Sequence, residues 1–374
     1  MKILQVITSL QIGGAETLVA GMVARLRAMG HTVDVCVFNG KATPLMRRLA
    51  SETPGIRIYR LGRSYYNPLY IPKLARLMRH YDIVHSHNSS PQLFVAIAGL
   101  ASRRPALCTT EHNTTNRKRR LRCYAPIDRL TYSRYNHIVC ISKIAEQKLR
   151  EYLGGEWAAP QSPRYARIST INNGIDIAAI AAATPLPGAH ADGEFVTTMV
   201  AGFRESKDQD TAIKAMALLP PNFVLWLVGD GRRRGTLEKL THSCGVDGRV
   251  KFWGERSDVA RILKSSDAIL MSSHWEGLSL SSIEGMSANK PFIASDVNGL
   301  KQIVESHGLL FSRGDAQQLA NTIRRLHDDP ALYRTTAERC LSQARNFSIS
   351  TTVAEYNRLY NSLLANRQGK SSEN

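Results

Sequence analysis

DAILMSSHWEGLSLSSIEGMSANKPFIASD, residues 267–296, decides how the rest of the chain is read. Ala268 to Met271 reads as a buried strand, a polar turn follows, a helix opens near Leu280, and Pro291 to Ala294 is a second apolar strand. Glu276 and Glu284 are separated by seven residues, the first before the helix and the second within it, so both carboxylates can face one ligand. A loop carboxylate accepts hydrogen bonds from sugar hydroxyls, while the free N–H groups of Ser279, Leu280 and Ser281 offer partial positive charge to a phosphate. One short segment would then hold both ends of a sugar nucleotide. The competing reading makes Ser281 and Glu284 a capping box and Glu276 a solvated charge.

Working outward, the chain repeats one unit. Lys2 to Thr8 is an apolar strand, Ser9 to Gly14 a loop, Ala15 to Met29 an amphipathic helix, and Thr32 to Phe38 the next strand, the order of a parallel α/β sheet. Further strand ends fall before His87, before Glu111-His112-Asn113 and after Ile141. Residues 178–194, rich in Ala, Pro and Gly, read as a linker. A second α/β series runs over 195–350, and a last amphipathic helix over 352–367 returns to the first domain, residues 1–177. His85 and His87 are expected on opposite faces of their strand, which would preclude a shared metal; His85 is read as structural and His87 as a site candidate.

At 374 residues the chain accommodates two domains with separate cores. No apolar run is long enough to span a bilayer and the start, MKILQVITSLQIGG, has no signal pattern, so a cytoplasmic protein is expected. The six cysteines lack metal spacing and read as buried thiols. The net charge of +18 is lopsided: residues 1–175 hold 26 Lys and Arg against 9 Asp and Glu, and the remainder 23 against 22. Such a field attracts nucleic acid, an anionic membrane or a phosphorylated substrate. Much of it lies in Arg117, Lys118, Arg119, Arg120 and Arg122, interleaved downstream with tyrosines; as a solvated run it would need no partner.

The stretch Glu276-Gly277-Leu278-Ser279-Leu280-Ser281-Ser282-Ile283-Glu284, followed by Asn289-Lys290-Pro291, resembles the E-x7-E signature of family 4 retaining glycosyltransferases. The resemblance extends over nearly the whole chain. It implies the GT-B fold, two Rossmann-like doubly wound domains facing across a cleft. It also implies transfer of a sugar from a nucleotide diphosphate, UDP-linked donors being commonest and GDP-mannose also used. Carried onto this sequence, Glu276 would hold the sugar hydroxyls, Glu284 the ribose, and Gly277 to Leu280 the phosphate. Gly254 would seat the base. The Gly13-Gly14 pair resembles the family's diglycine loop, and His112 matches a histidine beside the sugar ring. Asn173, in Asn173-Gly174-Ile175-Asp176, resembles an element at the passage between domains, although Asn-Gly also serves as a turn. Gly202 stands where the family's usual arginine would be, so the diphosphate contacts fall to Arg204 and Lys207.

Asp208-Gln209-Asp210 spells the D-x-D of the other large glycosyltransferase architecture. It opens a helix here, where aspartate caps, so no essential metal and no cofactor beyond the sugar nucleotide are expected. The resemblance implies a polyprenyl-diphosphate or lipid-linked saccharide acceptor, with Gly13, His87, Asn173 and the basic run on the acceptor or membrane side. The protein would then be peripheral on the inner face of the plasma membrane, and nucleic acid is not expected as a partner. Three alternatives stand beside this reading: a sugar-nucleotide epimerase of the same fold, a basic nucleic-acid binder, and a non-catalytic lipid or sugar-nucleotide binder.

Overall fold

The computed structural model describes residues 1–11, 13–102, 104–112, 124–276 and 279–372. Its contacts divide the chain into two compact units, Met1–Gly174 with Ile349–Asn374, and Ile175–Ser348. The first holds seven strands: β1 (Lys2–Ile7), β2 (Thr32–Asn39), β3 (Ile58–Gly62), β4 (Ile83–His87), β5 (Ala106–Glu111), β6 (His137–Cys140) and β7 (Ile168–Thr170). All pair in parallel, in the order β3-β2-β1-β4-β5-β6-β7. The second holds β8 (Phe195–Val200), β9 (Phe223–Val228), β10 (Val250–Gly254), β11 (Ala268–Met271), β12 (Phe292–Ser295) and β13 (Leu309–Phe311), also parallel, in the order β10-β9-β8-β11-β12-β13. Runs such as KILQVI and FVLWLV are apolar nearly throughout because helices cover both faces of such a sheet.

Each sheet reverses its strand order once, between β1 and β4 in the first and between β8 and β11 in the second. At such a point the loops leaving the two carboxyl ends diverge and leave room for a ligand. Of the sequence candidates, Gly13, Gly14 and His87 lie by the first reversal and Arg204, Lys207 and Glu276 by the second, whereas Asn173 and Gly254 lie by the edge strands β7 and β10.

In the first unit the helices Gly14–Ala28 and Pro44–Glu52 share one core with Val353, Tyr356, Tyr360 and Leu363 of the last helix, Ile349–Ser372. Helices Tyr70–Met78, Ser89–Ala101, Ala125–Ser133 and Lys143–Leu153 share the other. The stretch read as a linker differs from expectation at its start. Asp176 accepts a hydrogen bond from Ala179 N and caps the helix Ile177–Ala182, which packs on the helix Leu280–Ser287 of the second unit. Alanines that looked like linker composition are here good helix formers behind a cap.

Candidate functional site

In the second unit the loop after β8 and the loop after β11 are tied together. Ser272 Oγ donates to the carbonyl of Asp208 at 2.7 Å, and His274 N donates to the carbonyl of Ser206 at 2.9 Å. Between these ties the Lys207 ammonium donates to Glu276 Oε1, which also accepts from Ser273 Oγ at 2.9 Å. Both charged side chains are largely enclosed, at 20% and 12% exposure, and in such a setting each needs the other. Arg204, three residues earlier, is exposed, and its side chain has no acidic partner among the described residues.

The helix Leu280–Ser287 starts at this loop. Its N-cap is Ser279, whose hydroxyl accepts from Ser282 N at 3.3 Å and from Ser282 Oγ at 2.8 Å. The capping-box alternative therefore fails: the cap lies two residues earlier than Ser281, and Glu284 sits too deep in the helix to reach back. Among the described residues nothing donates to the half-buried Glu284 carboxylate, and burial pushes its pKa up to about 7. A carboxylate in that state gains from ligand hydroxyls.

Asp208 and Asp210 are structural, as their place at a helix start suggested. Asp208, at φ 50°, caps the helix Gln209–Ala217 by accepting from Thr211 N and from Thr211 Oγ1, at 3.3 and 2.6 Å. Asp210 accepts both guanidinium arms of Arg233, at 2.5 and 2.9 Å; burial opposes its ionisation, yet Arg233 holds it below the usual carboxylate range. Gly254 has φ 66°, where an L side chain would strain, and its carbonyl accepts from Gly229 N at 2.8 Å. A Cβ on Gly229 would lie 2.2 Å from the Ala201 carbonyl oxygen, so only bare backbone joins these three strand ends. Among the described residues no group of three His, Cys, Asp or Glu is placed to hold a metal ion.

In the first unit the histidines correct the sequence reading. Residues two apart on a strand share a face, and the rings of His85 and His87 lie 4.1 Å apart rather than on opposite sides of the sheet. A buried polar chain runs through them. His87 Nδ1 is 2.9 Å from His112 Nε2, and His87 Nε2 is 2.8 Å from Gln5 Oε1. Gln5 Nε2 donates to Tyr360 OH at 3.3 Å, that hydroxyl is 2.6 Å from His85 Nδ1, and His85 Nε2 is 2.7 Å from Thr110 Oγ1. Burial lowers all three histidine pKa values, that of His112 to about 4, so neutral rings are the rule. His112 Nδ1 is buried without a partner among the described residues.

Gly13 caps the first helix with extended backbone, and the helix's first turn brings in Glu16, raised by burial although Asn88 donates to it. Asn88 itself, directly after His87, has φ 71° and ψ 158°, a conformation costing about 1–3 kcal/mol outside glycine. Neither Asn173 nor Gly174 has the positive φ of an Asn-Gly turn. Gly174 is required because a Cβ there would stand 2.6 Å from the backbone of Ile349, and Asn173 Oδ1 is buried and unpartnered among the described residues. Arg117, Lys118, Arg119, Arg120, Arg122, Gly277 and Leu278 lie outside the described residues. Gln5, Tyr360, Glu16, Asn88 and Ser273 escaped sequence reasoning. Only their placement just after strands could have signalled the last two.

Residues 12–179 match the family model described as Glycosyltransferase Family 4, and residues 187–347 match that described as Glycosyl transferases group 1. The lipopolysaccharide core biosynthesis glycosyltransferase LpsD of Rhizobium meliloti (strain 1021) is 43% identical over 113 residues, 30% of this chain and 33% of that protein. An Escherichia coli UDP-Gal:alpha-D-GlcNAc-diphosphoundecaprenol alpha-1,3-galactosyltransferase is 26% identical over 307 residues, 77% of each chain. Matches to the first three curated relatives, which include LpsD, span 33% to 47% of those proteins' own length. The crystal structure of Anabaena HepE in complex with UDP superposes with a TM-score of 0.80 at 21% identity, covering 97% of this chain and 100% of that one. WaaG, titled a glycosyltransferase involved in lipopolysaccharide biosynthesis, gives 0.68 at 16% identity over 96% and 99%. The fold is that of GT-B proteins. With one family model over each of its two sheets, the chain belongs to the family 4 and group 1 glycosyltransferases.

Proposed function

We propose that the protein is a retaining glycosyltransferase that moves a sugar from a nucleotide-diphosphate sugar to an acceptor hydroxyl. The acceptor we favour is a lipid-linked saccharide, met at an anionic membrane surface on the cytoplasmic side during cell-surface polysaccharide or glycolipid synthesis. The observation that carries the reading is the Lys207–Glu276 pair where the sheet order reverses between β8 and β11, beside a helix N-terminus and Glu284, whose carboxylate has no partner among the described residues.

As the bond from the anomeric carbon to the diphosphate oxygen breaks, the electron pair stays with the phosphate. Arg204, Lys207 and the N–H groups that open the helix Leu280–Ser287 stabilise that charge. Glu276 orients the sugar by accepting from its hydroxyls, and Glu284 accepts from the ribose. The acceptor oxygen bonds to the anomeric carbon on the face the phosphate leaves, and its proton passes to the departing phosphate oxygen. A UDP-linked donor is supported by the relatives named for UDP-galactose or solved with UDP. The scheme invokes no resident metal; Asp208 serves as a helix cap and Asp210 pairs with Arg233.

The test is thermal unfolding with UDP, GDP, ADP and their sugars, on wild type and Lys207→Ala. A ligand at about a hundred times its dissociation constant stabilises the fold by roughly 2.7 kcal/mol. One nucleotide raising the midpoint of the wild type, and not of the variant, is the expected result. If none of them does so, the reading fails.

A further inference from the structure

A cavity of about 930 Å³ lies in the first unit, at the end of the sheet away from the candidate site. Lys2 and Thr32, in its lining, begin β1 and β2, Arg57 precedes β3, and His80 and Tyr81 precede β4. The helix Tyr70–Met78 adds a wall through Lys73, Arg76 and Leu77. Gly13, His87 and His112 stand at the opposite, carboxyl ends of strands in the same sheet. The reaction proposed above therefore leaves this cavity without a purpose.

Its lining carries charge of nearly one sign. Lys2, Arg27, Arg57, Arg60, Lys73 and Arg76 supply six permanent cations, and none of these side chains forms an ion pair among the described residues. Arg27 is held in place by donating to the carbonyls of Val33 and Pro54, at 3.2 and 2.8 Å. Asp34, the one acid in the lining, is 4% exposed and already has its donors: Tyr81 OH at 2.7 Å and the Arg57 backbone N at 3.0 Å. It acts on the Arg57 guanidinium only through its field, that group being hydrogen-bonded to Tyr59. Six cations against one carboxylate leave a surplus of five positive charges around one hollow. Like charges so placed repel one another, and an ordinary solvated surface intersperses acids among them.

We propose that this cavity binds a small soluble molecule carrying two or more phosphate groups. Its cations come from three separate pieces of chain, the strands β1 and β3 with the residue before β3, the end of the helix Gly14–Ala28, and the helix Tyr70–Met78, and convergence of that kind suits a compact polyanion. One phosphate group, with a charge of about −2, would leave most of the surplus unmatched. A nucleic-acid strand tracks a groove rather than a hollow, and a bilayer presents its phosphates in a plane. The volume falls in the range of small-molecule sites, roughly 300–1,000 Å³. Leu61, Leu77 and Tyr59, which also pack on the core behind, give an apolar wall to the part of the ligand that bears the phosphates. The site stands apart from the donor and acceptor assigned above and does not depend on them.

The experiment is titration calorimetry of the full chain with tripolyphosphate at low ionic strength, for wild type, Lys73→Gln/Arg76→Gln, Arg57→Gln and Lys207→Ala. Inorganic phosphate and phosphatidylglycerol vesicles serve as comparison probes. Wild type is expected to bind tripolyphosphate, and inorganic phosphate far more weakly. The Lys73/Arg76 variant should lose about tenfold or more in affinity, the worth of hydrogen bonds to charged groups, and Arg57→Gln, on the strand side of the cavity, should weaken binding as well. Lys207→Ala should keep this binding, because Lys207 belongs to the other unit. Unfolding midpoints without ligand should not fall in the charge variants, since they relieve repulsion, and that separates lost binding from lost folding. Unchanged affinity in both charge variants overturns the proposal. So does a loss confined to Lys207→Ala, which would put the anion in the donor site. Failure of wild type to bind tripolyphosphate overturns it too, and binding to the vesicles alone would assign the cations to a lipid surface instead.

Discussion

His87 Nδ1 lies 2.9 Å from His112 Nε2, and this one contact fixes which nitrogen of His112 is left for a ligand. Gln5 donates its amide to Tyr360 and presents its oxygen to His87 Nε2, which must therefore carry the proton. A neutral His87 then accepts at Nδ1, His112 donates from Nε2, and His112 Nδ1 is a bare lone pair aimed at no described partner. Imidazole nitrogen shifts measured by NMR should report the Nε2–H tautomer for His112 in wild type and in Gln5→Glu, which keeps the acceptor. In Gln5→Leu the two tautomers should mix and kcat fall about tenfold, roughly the worth of one misplaced hydrogen bond. Finding the Nδ1–H form in wild type would reverse the whole chain.

Lys207→Ala strands a mostly enclosed carboxylate. It should lower stability by about 1–3 kcal/mol in denaturant unfolding. The double substitution Lys207→Met/Glu276→Gln should recover most of that loss while transfer stays abolished, since stability needs the charges matched and the reaction needs them present. Additive losses in the double-mutant cycle would sink this account of the pair.

Glu284 ionises near pH 7 by virtue of burial, well above the ordinary carboxylate value of 4.5. Its folded pKa is raised, so the acid form favours folding below about 4.5 and that advantage is lost as pH rises to about 7. Ribose hydroxyls donating to the carboxylate favour the ionised form, and nucleotide binding near pH 6 should release a proton. Calorimetry in buffers of different ionisation enthalpy should detect it for wild type, and Glu284→Gln should abolish it. Equal proton release by both would assign the proton elsewhere.

The buried histidines work in the opposite direction. With folded pKa values below 6.5, and that of His112 near 4, their neutral forms stabilise the fold above 6.5, and this is lost as pH falls toward 4. Unfolding midpoints of His85→Phe should respond less steeply to pH between 6.5 and 4 than those of wild type. An unchanged slope would show that His85 takes no part.

The succession of strands and their parallel pairing were legible because buried parallel strands are continuous apolar runs and glycines or polar residues punctuate them. Glu276 and Glu284 were legible as a pair because their spacing straddles a helix start, although only the Ser279 cap removes the capping-box reading. Gln5 and Tyr360 were not legible. One is a polar residue inside an apolar strand, the other lies 355 residues away, and only the tertiary contact makes them neighbours. The face shared by His85 and His87 was available from the two-residue period alone.

The last helix has a consequence for the order in which the chain can mature. Tyr356 bonds Thr110 and Tyr360 bonds Gln5 and His85, so the first sheet's buried polar chain closes only with residues made after the whole of the second unit. Ile175–Ser348 is contiguous in sequence and can collapse as soon as it clears the ribosome, whereas in Met1–Gly174 the Gln5 amide, His85 Nδ1 and Thr110 hydroxyl wait for their tyrosines until Ile349 onward arrives. Synthesis thus runs against the usual N-to-C sequence of domain completion. The unit made first is the one finished last, and a ribosome stalled before residue 349 would hold a half-satisfied sheet beside a completed one.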